Sequence, residues 1–167
     1  MNRFDDQRAW FCERVNENSV GLYWLAKSIL HNDEDVKDAV QDSVLTAYEK
    51  LDTLRDENSF KPWIMRILAN TAYSMIRRSK PNTDIDSLAE ELPAPQNEDR
   101  EESMALWQAV RGLGESLRTV TVLFYYDDMP IKDISRALGI TEGTVKARLS
   151  RARAKLRIAM SEQEETL

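Results

Sequence analysis

Residues 130–157, PIKDISRALGITEGTVKARLSRARAKLR, constrain this chain more than any other segment. Ile131, Ile134 and Leu138 fall on one face of a short helix, and Gly139 breaks it. Val145, Leu149, Ala152 and Leu156 then recur at steps of four, three and four, which predicts a second helix that buries a single stripe. Its other face carries Lys146, Arg148, Arg151, Arg153, Lys155 and Arg157 with no acid among them. A merely solvated amphipathic helix with that face would repel itself.

Two short helices joined by a glycine turn, the second apolar inward and cationic outward, are the pattern of a DNA-binding helix-turn-helix. The overall charge of −6 conceals this. Residues 103–160 hold ten Lys and Arg against five Asp and Glu, residues 80–102 two against eight, and residues 1–79 eleven against thirteen. A basic C-terminal module is thus joined to a near-neutral N-terminal one by an acidic strap, and residues 161–167 form a short acidic tail.

The rest of the chain reads as helical. No hairpin dipeptide separates alternating runs, so no sheet is expected. Helices are predicted over 4–17, 20–31, 36–51, 60–79, 103–113 and 117–126, with 53–59 a polar loop. Asp33, Glu34 and Asp35 complement the positive end of the helix over 36–51, and Pro62 is tolerated in the first turn of the next. Trp63 reads as a core residue of that helix. Pro81, Pro93 and Pro95 lie in the strap, which should be flexible with at most a short helical turn around 85–92. The expected architecture is all-α: a helical domain over 1–80, an acidic linker over 81–102, a helix-turn-helix domain over 103–160 and a tail over 161–167.

Several functions are excluded on composition. No apolar run approaches twenty residues, and Met1–Trp10 is too charged for a signal peptide. The single cysteine, Cys12, rules out an internal disulfide, and with one histidine, His31, a His/Cys zinc site is not expected. His31 reads as a surface or capping residue. There is no glycine-rich phosphate loop and no nucleophile beside a base. Asp5-Asp6, Glu90-Glu91 and Asp127-Asp128 are adjacent in sequence and do not converge on one helix face. Neither catalysis nor a cofactor is expected.

Two segments resemble the compact two-domain sigma factors of bacterial RNA polymerase, the extracytoplasmic-function group. In the N-terminal half these are DEDVKDAVQDSVLTAYEKLDTL (33–54) and FKPWIMRILANTAYSMIRRSK (60–80); in the C-terminal half it is GTVKARLSRARAKL within the opening motif. The resemblance covers about residues 10–160. It implies a protein of the bacterial cytoplasm, not itself in a membrane and with no small-molecule substrate. It would bind the β and β′ subunits of core polymerase, recognise the −35 and −10 elements of promoter DNA and initiate transcription. Gly114 departs from the family's frequent Pro, and Pro130 stands where Ser or Thr would cap a helix.

The resemblance places core-polymerase binding on Asp35, Asp38, Gln41, Asp42 and Leu45. Without it, a solvated face would be the plainer reading. It places −10 recognition on Leu54 and Asn70, with Lys61, Arg66, Arg77 and Arg78 on phosphates. Promoter opening needs an unstacked base to be held by an apolar wall and a polar group, and Asn offers both donor and acceptor. On residue type alone, Asn70 reads equally as a bridge to a neighbouring helix. It places −35 recognition on Thr144, Lys146, Ala147, Arg148, Ser150, Arg151 and Arg153. There Arg151 suits a bidentate bond to guanine, Ala147 can offer only a methyl, and Lys146, Arg148 and Arg153 suit phosphates. The family is often held inactive by an anti-sigma factor wedged between the domains, so such a partner is expected. A stand-alone helix-turn-helix regulator working without polymerase is the alternative, although residues 1–79 show no ligand, receiver or dimerisation module.

Overall fold

The computed structural model describes residues 3–79 and 100–165, and among these every regular element is helical. The N-terminal half contains α1 (Arg3–Glu17), α2 (Ser19–Ile29), α3 (Asp33–Glu49) and α4 (Phe60–Ser79). Two 3₁₀ turns, Leu51–Thr53 and Glu57–Ser59, link α3 to α4. Asn32 starts α3 by accepting the Glu34 N–H at 2.8 Å, and the acids of the first turn lie at the helix's positive end. Along α4 the buried residues Phe60, Ile64, Met65, Leu68, Ala69 and Ala72 recur at helical spacing, so this helix packs against both α2 and α3. Phe60 anchors α1 through edge-on contacts with Trp10 and Phe11, at 5.5 and 5.9 Å between ring centroids.

The C-terminal half contains α5 (Arg100–Arg111), α6 (Glu115–Thr121), α7 (Ile131–Leu138) and α8 (Glu142–Glu165). Gly139 ends α7 in the left-handed region, at φ 66° and ψ 35°, where a residue without Cβ is unstrained. Thr141 then starts α8 by accepting the Thr144 N–H at 3.1 Å. Val145, Leu149 and Ala152 are buried and Leu156 is half-buried, so the stripe read from the sequence is the buried one.

The two halves share one core. Leu22, Leu25, Ile64 and Leu68 from the first half and Val120, Leu123, Ile134 and Leu149 from the second belong to one continuous buried cluster. A second cluster crosses the boundary too: Trp24 of α2 packs edge-on against Trp107 of α5 at 4.9 Å, and Tyr126 contacts both rings. Polar bonds stitch the same seam. Ser28 Oγ donates to Thr119 Oγ1 at 3.3 Å, and the Tyr73 hydroxyl donates to Glu115 Oε1 at 2.7 Å. Burial, followed by that bond, holds the Tyr73 hydroxyl protonated far above its ordinary range.

Arg118 is the buried cation of the seam. Its Nε donates to the Ser28 carbonyl at 2.9 Å, and one terminal nitrogen donates to the carbonyls of Leu113 at 2.9 Å and Arg111 at 3.2 Å. Ser28 lies in the last turn of α2 and Arg111 ends α5, so the guanidinium fills the electronegative ends of two helices.

Some details differ from the sequence reading. The expected single helix over 117–126 is α-helical only to Thr121; Val122–Tyr126 form a π-helical turn. A π turn spends an extra residue, which redirects the three consecutive aromatics: Tyr126 joins the Trp24–Trp107 cluster while Phe124 and Tyr125 lie beside Arg153 of α8. The 53–59 loop contains 3₁₀ turns, α5 begins at Arg100, and α8 continues through much of the expected tail to Glu165. Pro130 precedes α7 at φ −66° with no side-chain cap, and Gly114 precedes α6 at φ −56°, a value Pro could share. His31 is exposed beside Asn32, the residue that does the capping. The flexible strap and its short turn around 85–92 lie outside the described residues.

Candidate nucleic-acid interface

Three surfaces carry the residues singled out in the sequence. The first is the outer face of α3. Asp35, Asp38, Gln41, Asp42 and Leu45 are all exposed, Leu45 at 59%. Leu45 thus adds an apolar group to an otherwise acidic and polar face.

The second surface is α4. Asn70 is exposed, so the bridging alternative does not apply. It lines a groove of about 490 Å³ between α3 and α4, together with Asp42, Leu45, Glu49, Met75 and Arg78. The structure thus brings residues assigned to polymerase and to DNA into one groove. Leu54 lies elsewhere: it follows the first 3₁₀ turn, half-buried against the core. Arg77 is exposed and reaches Ser74 Oγ at 3.2 Å. Trp63 is half-buried against Phe60, in keeping with a core role, and its remaining surface lines a second cavity with Lys50, Arg66 and Arg136.

Two cations of α4 have partners in the C-terminal half. Lys61 Nζ pairs with Asp127 Oδ2 at 3.1 Å, and a terminal nitrogen of Arg66 donates to the Arg136 carbonyl at 3.4 Å. Asp127 packs so closely on α2 that a Cβ at Gly21 would lie 2.6 Å from its carboxylate. Burial raises the Asp127 carboxyl pKa above its ordinary value, with Lys61 opposing the shift.

The third surface is α8. Lys146, Ala147, Ser150 and Arg151 are exposed. Thr144 is half-buried, its hydroxyl 2.9 Å from that of Thr141, so it belongs to the helix cap before it can serve a phosphate. Arg148 is half-buried. Arg153 donates to the Tyr125 hydroxyl at 2.6 Å and lies 5.7 Å from that ring's centroid. Its guanidinium is therefore oriented before any ligand arrives.

The sequence reading missed the seam residues Tyr73, Glu115 and Arg118, and Tyr125 beside α8. None carries a local signal, since each acquires its role from a partner dozens of residues away or from a helix end. Asp127 and Gly139 were visible, as an acidic pair and a helix breaker, but not as parts of a domain contact.

No helix of the described residues is long and apolar enough to cross a membrane, and no cluster of metal-binding residues occurs among them. Two family models match the chain: Sigma-70 region 2 over residues 15–81 and Sigma-70 region 4 over residues 103–156. The RNA polymerase sigma factor SigV of Bacillus subtilis is 27% identical over 164 residues, covering 98% of this chain and 99% of that protein. The ECF RNA polymerase sigma factor SigW of the same organism is 30% identical over 167 residues, covering 91% and 89%. Among solved structures, the Bartonella quintana sigma factor RpoE in complex with the anti-sigma factor NepR matches with a TM-score of 0.74 at 24% identity, over 90% of this chain and 96% of that one. With both regions matched in order and a relative at 30% identity spanning nearly its whole length, this chain belongs to the ECF sigma factors of RNA polymerase.

Proposed function

We propose that this sigma factor docks on core polymerase through the α3 face and reads promoter DNA with α4 and α8. The observation that supports this division is the groove between α3 and α4, where Asp42 and Leu45 stand beside Asn70 and Arg78. A partner on α3 then places its own surface next to the strand held on α4, coupling polymerase binding to −10 recognition. Leu54, Lys61, Arg66 and Arg77 complete that surface. On α8, Arg151 reads a base edge, Ala147 and Ser150 face the bases, and Thr144, Lys146, Arg148 and Arg153 hold phosphates.

Alone, the protein binds duplex DNA weakly, because its net charge is −6 and each domain reaches few phosphates. Tethered to polymerase, each domain gains a high effective concentration at its element. It has no catalysis of its own, needs no cofactor, acts in the bacterial cytoplasm, and is controlled by an anti-sigma factor that covers both DNA-binding surfaces. Domains over 1–80 and 103–160 with a linker over 81–102 suit that arrangement. The test is run-off transcription with purified core polymerase on a random promoter library. Start sites sharing a −35 and a −10 sequence support the reading. A chain that forms no stoichiometric complex with core polymerase, or leaves it unable to start at any defined position, refutes it and returns the stand-alone regulator.

A further inference from the structure

We propose that the cavity between α4 and α7 is a binding site for a purine nucleoside diphosphate, built from residues of both halves. Its volume is about 480 Å³, within the range of small-molecule sites. Four elements converge on it. Lys50 comes from the end of α3, Ser59 from the second 3₁₀ turn, Trp63 and Arg66 from α4 one turn apart, and Arg136 from the last turn of α7. No acid lines the cavity, although acids outnumber bases in the chain as a whole.

The three cations are exposed, and among the described residues none of them pairs with an acid. Arg66 donates to the Arg136 carbonyl at 3.4 Å, and a Cβ at Gly139 would collide with its guanidinium, so that group rests against the end of α7. The bond uses one of the five N–H donors a guanidinium carries. Three like charges around one cavity repel each other unless an anion offsets them. A terminal phosphate carries about −1.5 to −2 and an inner one about −1, so a diphosphate brings roughly −3, the charge needed here. Trp63 supplies the other half of the recognition. Phe60 packs on it at 5.8 Å between ring centroids, and its remaining surface faces the cavity. An aromatic wall beside cations lets a base stack while its phosphates are held. The Ser59 hydroxyl adds a donor and an acceptor at the rim. Arg136 belongs to neither surface assigned to DNA, and a strand laid along α4 has no use for it. A short ligand with its charge at one end does. Arg66 is also assigned to the −10 strand, but the site does not rest on that assignment.

Equilibrium binding of ADP and GDP to the full chain, followed by tryptophan fluorescence and by thermal melting, tests the site. At ten times its Kd the bound nucleotide should raise the thermal midpoint by about 3–6 °C and quench tryptophan emission. Trp63→Phe should abolish most of that quench, although Trp24 and Trp107 remain. Arg136→Ala and Lys50→Ala, both at exposed positions, should each weaken binding at least about tenfold. Inorganic pyrophosphate, which has the charge but no base, should bind at least about tenfold more weakly than ADP or GDP. No shift of the midpoint with either nucleotide at about 1 mM overturns the proposal. So does binding that survives Arg136→Ala unchanged, since the anion would then be held by α4 alone, and so does pyrophosphate binding as tightly as the nucleotides. A short single-stranded DNA that excludes ADP and is itself lost in Arg136→Ala assigns the cavity to a strand and overturns the proposal as well. Should one of the two alanine variants fail to fold, the other decides the same question.

Discussion

Replacing Arg118 by Met removes a cation that satisfies the carbonyls of Ser28, Leu113 and Arg111. The bonds to Ser28 and Leu113 are buried. Leaving a buried acceptor unpaired costs about 1–3 kcal/mol, which for two such carbonyls amounts to about 2–6 kcal/mol. Against this, burying a guanidinium carries a desolvation penalty, visible in its lowered pKa, and Met fills the volume of its apolar stem. The net expectation is a loss of about 3 kcal/mol, or a fall in the thermal midpoint of about 6–12 °C for a chain of this size. Arg118→Lys keeps the charge, but one ammonium cannot serve three carbonyls on diverging elements, so about half the loss is expected. Urea titration followed by tryptophan fluorescence measures both, with Trp24 and Trp107 reporting on the seam itself. A Met variant within about 0.5 kcal/mol of the parent, or a Lys variant no better than Met, would refute the reasoning, because neither charge nor donor number would then matter.

Gly139→Ala should destabilise the chain by about 1–2 kcal/mol from its left-handed backbone alone. Displacement of Arg66 adds to that, and repeating the substitution in an Arg66→Ala background should return only the added part. Stability should fall as pH drops below about 6.5. His31, though exposed overall, has a folded pKa lowered by partial desolvation and by Arg118, Lys27 and Arg111, so the unfolded chain binds its proton first. The His31→Gln variant should lose that slope between pH 7 and 5 in thermal melts; an unchanged slope would show that His31 does not cause it. Arg151→Ala should cost about 1–3 kcal/mol at one −35 position and relax specificity there, whereas Lys146→Ala should weaken all promoters alike. Identical behaviour of the two across a promoter library would abolish the division between base and phosphate contacts.

Much of the local structure was legible because it is written at short range. The stripe of Val145, Leu149 and Ala152, the break at Gly139 and the acid-rich start of α3 each need only a helix's own periodicity and dipole, and α4 runs over the residues its apolar spacing marks. The π turn escaped because nothing in VLFYY distinguishes it from an α-helix. Trp24, Trp107 and Arg153, remote in sequence, decide where its rings lie.

By itself the sequence determined two helical modules, their order, the charge of each and the cationic outer face of the last helix, since periodicity and charge are properties of neighbours along the chain. Only the tertiary structure decided that the modules share one core, that Arg118 closes the ends of two helices, and that Asp127 and α7 occupy Lys61 and Arg66 of α4. Those contacts join residues tens of positions apart, where linear spacing carries no information and packing chooses the partner.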